Sequence, residues 1–397
     1  MEGILDPRTW YPSPDRPVSP RPWFLPLVLL SFIVSTTLPR RSRILIAVPI
    51  LLILNSQIRT YSIGDNIKDF GRGSFIFGFV LKFIDFGILT RDGEAYKLKD
   101  RKSSISNAGS ISRSEEVKGI WQRFKDSAEL WLFTMRGIGW SWQVGGVPER
   151  KPQSTSYFIF RTLLRILGSY LAWDICKHLM GLYPYIHSSP RGAFFSLPFS
   201  SQVILTWLHQ LEAFCFINLP YQIGALLTVA TGYQTPADWP PLFGDLSGGY
   251  LVSRAWGRVW HQLLRRPLGM LTPYVQRVLG TKSRSAKRTS SLICSFMMSG
   301  FVHWSGALNC PWTSSSHGMF TYFIMQAPVV RLEDCIVDWG RRQGFKSSVL
   351  LKCLGYLWTF SWISYSMRYA ARYQFEHGAL SVYDPFRYSI IDYLARS

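Results

Sequence analysis

The chain of 397 residues is 47% hydrophobic and carries a net charge of +20, although only 17% of its residues are charged. An average soluble domain is about 25% charged, so the composition argues against a single soluble domain. The basic residues lie in the loops between apolar blocks, as the positive-inside rule requires of cytosolic loops. This distribution argues against a nucleic-acid-binding protein, and we expect a membrane protein whose partner is the lipid bilayer.

The amino-terminal segment differs from a secretory signal. Residues 1–21 contain five prolines and three acidic residues, whereas a signal begins with basic residues and has a cleavage site after its apolar core. We expect residues 1–21 to form a short, disordered, proline-rich arm that is retained. The first apolar block, residues 22–38, would then be both the targeting element and a permanent span.

Apolar blocks follow along the whole chain. About 20 mainly apolar residues cross the hydrocarbon core of a bilayer. The blocks predict an all-α, multi-pass integral membrane protein with about eight transmembrane helices. The basic loops 92–156 and 231–289 would face the cytosol, and the amino terminus would face the lumen. The candidate spans are residues 22–38, 44–54, 75–89, 157–176, 203–230, 291–308, 319–330 and 349–366.

The pattern divides the chain into four regions: the arm 1–21, transmembrane helices at 22–90, a cytosolic loop at 91–156 and a membrane region at 157–397. Within the loop, residues 101–116 are polar and serine-rich, which predicts a flexible insert. Residues 121–133 have apolar side chains at helical intervals, which predicts an amphipathic helix on the membrane face. The segment 136–148 is rich in glycine and tryptophan and fits a membrane-surface loop with interfacial anchors.

One histidine lies inside an apolar block. His303 is part of SFMMSGFVHWSGA, residues 295–307, and an ionisable residue at membrane depth is by default a functional-site hypothesis. The small residues beside it let helices pack closely, and burial favours the neutral ring that a general base needs. The alternative is a histidine that is hydrogen-bonded between helices and has no catalytic part.

A second histidine, His261, lies 42 residues upstream in WGRVWHQ, residues 256–262. It could contact lipid headgroups, or it could donate a hydrogen bond to a developing oxyanion. From residue 246 to residue 332 the chain has ten Lys and Arg and no Asp or Glu. This basic stretch fits attraction to anionic headgroups, and it also fits arginines that bind the phosphates of a substrate entering from the cytosol.

Other site types find no support in the sequence. The six cysteines include no CxxC pair, so neither a metal site nor a disulfide framework is indicated. There is no GxSxG, P-loop or HExxH motif, and no internal repeat of the kind seen in transporters. His209 is the next histidine to consider, with Glu212 one helical turn away as a structural partner. The other histidines lie near span ends: His178, His187, His317 and His377.

The two histidine segments resemble a known family. WGRVWHQLLRR, residues 256–266, is similar to the W-G-[KR]-x-W-H-Q signature of the wax synthase branch of the membrane-bound O-acyltransferases. SGFVHWSG around His303 is similar to the small-residue block that ends in the invariant histidine of that branch. RGIGWSW at 136–142 and FGDL at 243–246 resemble members that acylate terpenoids and related natural products in fungi. Val259 stands where plant and long-chain members often have arginine, which leaves the acyl-chain class open.

The resemblance implies a curved bundle of tilted helices around a tunnel, with region 157–397 as the catalytic region. Acyl-CoA would enter from the cytosol and a lipophilic alcohol from the bilayer, in the endoplasmic reticulum. The reaction would move an acetyl group from acetyl-CoA, a co-substrate and not a permanently bound cofactor, to a terpenoid or meroterpenoid hydroxyl in secondary metabolite biosynthesis. His303 would be the catalytic base and His261 the second catalytic residue. The substrate- and CoA-binding residues would be Trp256, Arg258, Trp260, Gln262, Arg265 and Arg266.

Two alternatives stay open. Within the same class, the chain would be a long-chain wax ester synthase, which competition between acetyl-CoA and palmitoyl-CoA separates from an acetyltransferase. In a different class, it would be a transporter or a lipid-binding membrane protein, which would bind the acceptor without releasing free CoA.

Overall fold

The structure is a computed structural model that describes residues 6–19, 24–64, 66–90, 119–132, 134–148, 153–187, 193–377, 389–391 and 393. In these residues the regular secondary structure is helical, and turns and loops connect the helices. One isolated β-bridge joins Val18 and Ser62. The all-α prediction is therefore confirmed, and the serine-rich insert 101–116 lies outside the described residues. The longer helices are α1 (Phe24–Thr37), α2 (Arg40–Thr60), α3 (Asn66–Phe83), α4 (Ile120–Leu132), α5 (Thr155–Gly181), α6 (Phe199–Ala230), α7 (Arg284–Ala307), α8 (Gly318–Arg342) and α9 (Val349–Glu376).

Each candidate span coincides with one of these helices, because a long apolar run buries its backbone polar groups most easily as a helix. In the described part of the chain, two helical segments are long and apolar enough to cross a bilayer: Arg41–Thr60 in α2 and Phe199–Ala230, which is α6. A shorter apolar helix covers Pro26–Thr37. The helix positions were predictable, whereas the number of crossings stays a prediction.

The helices contact one another in a defined order. Helix α3 packs against α7, α7 against α8, α8 against α9, α9 against α6, and α6 against α5, while α1 packs against α2 and α4. The crossing of α3 and α7 is close because it is formed by small residues. A Cβ atom at Gly73 would lie 2.6 Å from the carbonyl oxygen of Ser305 and 3.0 Å from the Cα of Gly306. This crossing fixes the end of α7 that carries His303.

The amino-terminal arm is ordered over residues 6–19, which corrects the expectation of a disordered arm. Its Arg16 is buried and forms an ion pair with Asp69 of α3 at 2.8 Å. The same guanidinium donates to the carbonyl oxygen of Asn309 at 2.7 Å, and the Tyr11 hydroxyl accepts from the indole of Trp304 at 3.0 Å. A composition rich in proline suggested disorder, but two specific side chains attach the arm to α3 and to the end of α7.

The predicted amphipathic helix is α4, and Phe124, Ala128 and Trp131 of its predicted apolar side pack against the core. Trp131 is 1% exposed and stacks on Phe32 of α1 with ring centroids 5.3 Å apart. The first turn exposes Ile120 and Trp121, at 73% and 66%. The helix therefore packs against α1 through its later turns and leaves an apolar, aromatic first turn exposed.

Candidate active site

His303 lies in the last two turns of α7 and faces α8. Its ring is stacked on the buried ring of Phe323, with centroids 4.6 Å apart and planes inclined by 9°. The histidine side chain is partly exposed, and among the described residues no group forms a hydrogen bond with its ring. The geometry holds the ring by stacking and leaves its nitrogens available.

His261 belongs to a loop, residues 252–266, that we call the histidine loop. Short helical turns at Val252–Arg254 and Ala255–Val259 begin this loop. The amide of Gln262 then closes the loop on itself, because Nε2 donates to the carbonyl oxygens of Trp256 at 2.9 Å and Trp260 at 2.6 Å. Gln262, which was predicted to bind substrate, is therefore engaged in holding the loop.

The ring of His261 is enclosed by aromatic neighbours. Trp260 and Phe243 lie 5.2 and 5.9 Å from it, between ring centroids. Burial lowers the pKa of His261 to about 3, and the proximity of His303 and Arg136 adds to this shift, so the ring is neutral at physiological pH. Its Nδ1 atom is buried and has no hydrogen-bond partner among the described residues. A buried polar atom without a partner costs free energy, and a bound ligand would supply the missing partner.

A continuous row of aromatic rings joins the two histidines. Phe323, which stacks on His303, lies 5.6 Å from Trp256 between centroids. Trp256 lies 6.4 Å from Trp260, the residue beside His261. The fold therefore brings the two predicted catalytic residues into one aromatic site, although 42 positions separate them.

Gln326 of α8 is a site residue that sequence reasoning missed. It is fully buried, and its Oε1 accepts from the indoles of Trp256 at 3.3 Å and Trp362 at 3.0 Å. Its Nε2 donates to the carbonyl oxygen of Tyr322 at 2.9 Å and to the Ser366 hydroxyl at 3.3 Å. The available signal was a carboxamide side chain inside the apolar block 319–330.

Two of the predicted arginines border an open cavity of about 470 Å³. Arg258 and Arg265 line it together with the carboxylate of Asp245 and with glycine-rich backbone from residues 145–148 and from residues between 244 and 248. Arg265 donates to the carbonyl oxygen of Gly257 at 3.0 Å and to Gln262 at 2.9 Å. These acceptors are neutral, so the positive charge of Arg265 is not balanced by them.

Arg266 occupies a different environment from the other two arginines. Its Nε and one terminal nitrogen donate to the two carboxylate oxygens of Asp85, at 2.6 and 3.1 Å. The guanidinium also lies over the rings of Phe86 and Trp142, 4.5 and 5.1 Å from their centroids. The expectation that Arg266 binds a phosphate is therefore at odds with its position, because a buried carboxylate already neutralises it. Asp85 is an ionisable residue inside the apolar block 75–89, but nothing in the sequence indicates that its partner is Arg266, 181 positions away.

The segment 136–148 is anchored beside the site by its buried residues, while residues 139, 141, 143, 145 and 146 are exposed. Arg136 is 3% exposed and donates to the carbonyl oxygens of Pro240 and Pro241, at 2.9 and 2.8 Å. It also donates to the Tyr221 hydroxyl of α6 at 2.5 Å, and Trp140 is buried. Hydrogen bonds from a buried arginine to three acceptors join this segment to α6 and to the residues that precede FGDL.

The FGDL segment packs directly on the histidine loop. The amide of Gly244 donates to the carbonyl oxygen of Val259 at 2.8 Å, and a Cβ at Gly244 would collide with the carbonyl oxygen of Arg258. The motifs that looked independent in the sequence, at 136–142, 243–246 and 256–266, therefore form one structural unit around His261.

The other candidates lie outside this unit. His209 and Glu212 pair at 3.1 Å within α6, as their spacing predicted. In the described residues no group of three or more His, Cys, Asp or Glu side chains could hold a metal ion. The rings of Phe323, Trp256 and Trp260, which connect the two histidines, form the aromatic site.

Comparison with known proteins identifies the class. Residues 239–325 match the family model described as the membrane bound O-acyl transferase family. The chain is 29% identical to the acetyltransferase ple2 of Rhodocybe pseudopiperita, over 88% of this chain and 89% of the relative. It is 28% identical to the acetyltransferase sirH of Leptosphaeria maculans, over 87% and 88%. It is 30% identical to the O-Mevalon transferase yanI of Aspergillus niger, over 66% and 64%.

The family match covers both histidines and the chain between them, and together with the named relatives it indicates an acyltransferase enzyme. More specifically, residues 239–325 are similar to the membrane-bound O-acyltransferases, and the chain is similar over most of its length to these fungal acetyltransferases. The resemblance predicted from the residues around His261 and His303 is confirmed.

Proposed function

We propose that the protein is a multi-pass O-acetyltransferase that moves the acetyl group of acetyl-CoA to a hydroxyl of a lipophilic natural product, a terpenoid or meroterpenoid. Acetyl is favoured over a longer acyl group because three relatives that match along nearly their whole length are named acetyltransferases. The relatives named O-Mevalon transferases match about two thirds of this chain or less. The wax ester synthase alternative has no counterpart among these names.

The observation that supports the proposal most strongly is the aromatic site that contains two histidines with available ring nitrogens. We propose that neutral His303 accepts the proton of the acceptor hydroxyl as its oxygen attacks the thioester carbon. The carbon–sulfur bond then breaks, CoA leaves with the proton that His303 returns, and the acetyl ester forms without an acyl-enzyme. Aligning two bound substrates in this way can contribute roughly 7–11 kcal/mol to lowering the barrier.

His261 would stabilise the oxyanion that develops on the thioester oxygen. A buried imidazole nitrogen without a protein partner is suited to this role, because no competing hydrogen bond must be broken when the charge forms. The enclosing rings of Trp256 and Trp260 would exclude water and contact the apolar acceptor.

The cavity beside the histidine loop would bind the phosphates of CoA. Arg258 is exposed at its wall, and Arg265 offers a guanidinium whose partners there are neutral, so both suit phosphate oxygens. We propose that Arg266 acts by holding the loop and does not contact CoA. Arg258→Glu, at an exposed arginine of the cavity wall, should raise the KM for acetyl-CoA with little change in kcat. Arg277→Glu, at an exposed arginine of the same basic stretch, should change neither value. An unchanged KM for Arg258→Glu would exclude this cavity.

The membrane arrangement belongs to the same proposal. Several helices expose large apolar side chains on one side, for example Leu164 and Leu167 of α5 and Leu357 and Phe360 of α9, each more than half exposed. Such surfaces are unfavourable in water and favourable in lipid. We propose about eight crossings around a tunnel, in the endoplasmic reticulum membrane, with the acceptor entering from the bilayer.

The test of the proposed function is a competition experiment with the purified full chain in detergent. Acetyl-CoA and palmitoyl-CoA are offered together with lipid extract from cells that lack the protein, in which the acceptor alcohol accumulates. The proposal expects free CoA and a product heavier than an accumulated alcohol by one acetyl group. Palmitoyl transfer would favour the wax ester synthase, and acceptor binding without CoA release would favour a transporter.

A further inference from the structure

We propose that two buried carboxylates, Glu333 and Asp85, are positioning residues that hold the histidine loop at its two ends and thereby place His261. This inference rests on the proposed function of His261 and identifies the side chains that serve it. Neither carboxylate belongs to the motifs that carry the family resemblance.

Glu333 of α8 holds the beginning of the loop. One carboxylate oxygen accepts from the backbone amide of Val252 at 2.7 Å, and the other accepts from the amide of Ser253 at 2.9 Å. Glu333 is 4% exposed. The first amides of a helical turn have no partner inside the turn, and a carboxylate that accepts two of them at once fixes both position and direction.

Asp85 holds the end of the loop. It accepts two hydrogen bonds from Arg266, in the side-by-side arrangement that makes arginine–carboxylate pairs directional. Asp85 is 5% exposed and lies in the turn Ile84–Leu89 that continues α3. The Thr90 hydroxyl accepts a further bond from Arg266 at 2.8 Å. These three hydrogen bonds fix the orientation of the Arg266 guanidinium.

The middle of the loop transmits these two attachments to His261. The Gln262 side chain binds two carbonyl oxygens of the loop and accepts from Arg265, and the Trp260 amide donates to the carbonyl oxygen of Ala255 at 2.8 Å. His261 is five positions from Arg266 and eight from Ser253. Because the loop is closed on itself, a displaced end moves the imidazole as well.

The sequence explains why both carboxylates come from elsewhere. The stretch 246–332, which includes the histidine loop, contains no acidic residue. A loop without carboxylates of its own depends on neighbouring helices for charged hydrogen-bond acceptors. Glu333 is the first acidic residue after the stretch, and it lies seven positions from Gln326, on the same side of α8.

The first experiment separates positioning from general stability. Glu333→Gln keeps one oxygen acceptor and places the NH2 of a carboxamide against a backbone N–H, where two donors face each other. Asp334→Asn is a matched control at the adjacent carboxylate, which pairs with Arg288. The kcat of Glu333→Gln should fall roughly tenfold to a hundredfold, with the KM for acetyl-CoA unchanged, and Asp334→Asn should retain both values. Hydrogen exchange of the full chain in detergent should become faster in residues 252–266 and stay unchanged in α7.

The second experiment uses a charge exchange. Asp85→Arg and Arg266→Asp should each lower kcat, and the double variant should recover part of it because the ion pair is restored in the opposite direction. A double variant no more active than the worse single variant would overturn the role of Asp85. A raised KM for acetyl-CoA in Arg266→Asp alone would assign Arg266 to phosphate binding.

The exchange measurement needs no substrate, so failure of the inference is distinguishable from failure of the proposed function. If Glu333→Gln leaves exchange in residues 252–266 at the wild-type rate, the inference is wrong whatever the enzyme does. If exchange increases while kcat stays the same, Glu333 is structural and the inference is also wrong. If the wild-type protein transfers no acyl group at all, the proposed function fails first.

Discussion

The crossing of α3 and α7 makes a sharp prediction about two neighbouring glycines of α3. A methyl group at Gly73 would lie 2.6 Å from the Ser305 carbonyl oxygen and 2.9 Å from the Cβ of Asn309, closer than real Cβ atoms come to other atoms. The nearest obstacle is backbone of α7, which cannot rotate away. Gly71 has nothing within 4 Å of the same position. The same glycine-to-alanine substitution is therefore crowded at residue 73 and unobstructed at residue 71.

The magnitudes follow from these surroundings. Alanine in place of glycine inside a helix stabilises by about 0.5–1 kcal/mol, and this is the whole effect expected for Gly71→Ala. Overpacking costs about 1–3 kcal/mol, so Gly73→Ala should destabilise on balance. Thermal unfolding of each purified variant in detergent, followed by a thiol-reactive dye that detects the buried cysteines, measures both. Equal midpoints for the two variants would refute the close approach of α3 to the end of α7.

Two further predictions concern buried polar groups. Arg16→Met removes the ion pair with Asp69 and the hydrogen bond to the Asn309 carbonyl oxygen. Because Asp69 keeps its ion pair with Arg72, the free energy of unfolding should fall by about 1–3 kcal/mol, which thermal unfolding in detergent measures. Gln326→Leu removes the acceptor shared by the indoles of Trp256 and Trp362. Each unpaired buried donor costs about 1–3 kcal/mol, and kcat should fall because Trp256 contacts the ring that stacks on His303.

Matched controls separate these effects from nonspecific damage. Arg8→Met, at an exposed ion pair of the same arm, should leave the unfolding midpoint unchanged. A decrease equal to that of Arg16→Met would show that the positive charge of the arm, and not the ion pair with Asp69, stabilises the fold. Gln343→Leu, at the exposed end of α8, should leave kcat unchanged. Wild-type kcat in Gln326→Leu would show that the position of Trp256 does not matter for the reaction.

Much of the architecture could be predicted from the sequence. Long apolar runs specify helices because the backbone must satisfy its own hydrogen bonds, and each predicted span lies in a helix. His261 and His303 could be selected because an ionisable residue among apolar ones requires an explanation. The small residues beside His303 correctly indicated the close crossing, since Gly306 meets Gly73 of α3.

The partners of these residues could not be predicted. Nothing in the sequence connects Asp85 or Glu333 with the histidine loop, and only the fold places them against it. The contacts of Arg266 show the limit most clearly, because a basic residue within a basic stretch gives no sign of a carboxylate 181 positions away. Arg16 illustrates the same point in the amino-terminal arm. The proline-rich composition suggested disorder, and nothing in the sequence indicated that Arg16 pairs with Asp69.

The measurement that tests the account most directly compares wild-type protein with His303→Ala in microsomes supplied with acetyl-CoA and the accumulated acceptor alcohol. Product formation should fall about 10²- to 10⁴-fold, the usual contribution of a general base, while the variant protein stays present at the wild-type level. Acetyl transfer at the wild-type rate by His303→Ala would contradict the account, because no base in the aromatic site would then be required.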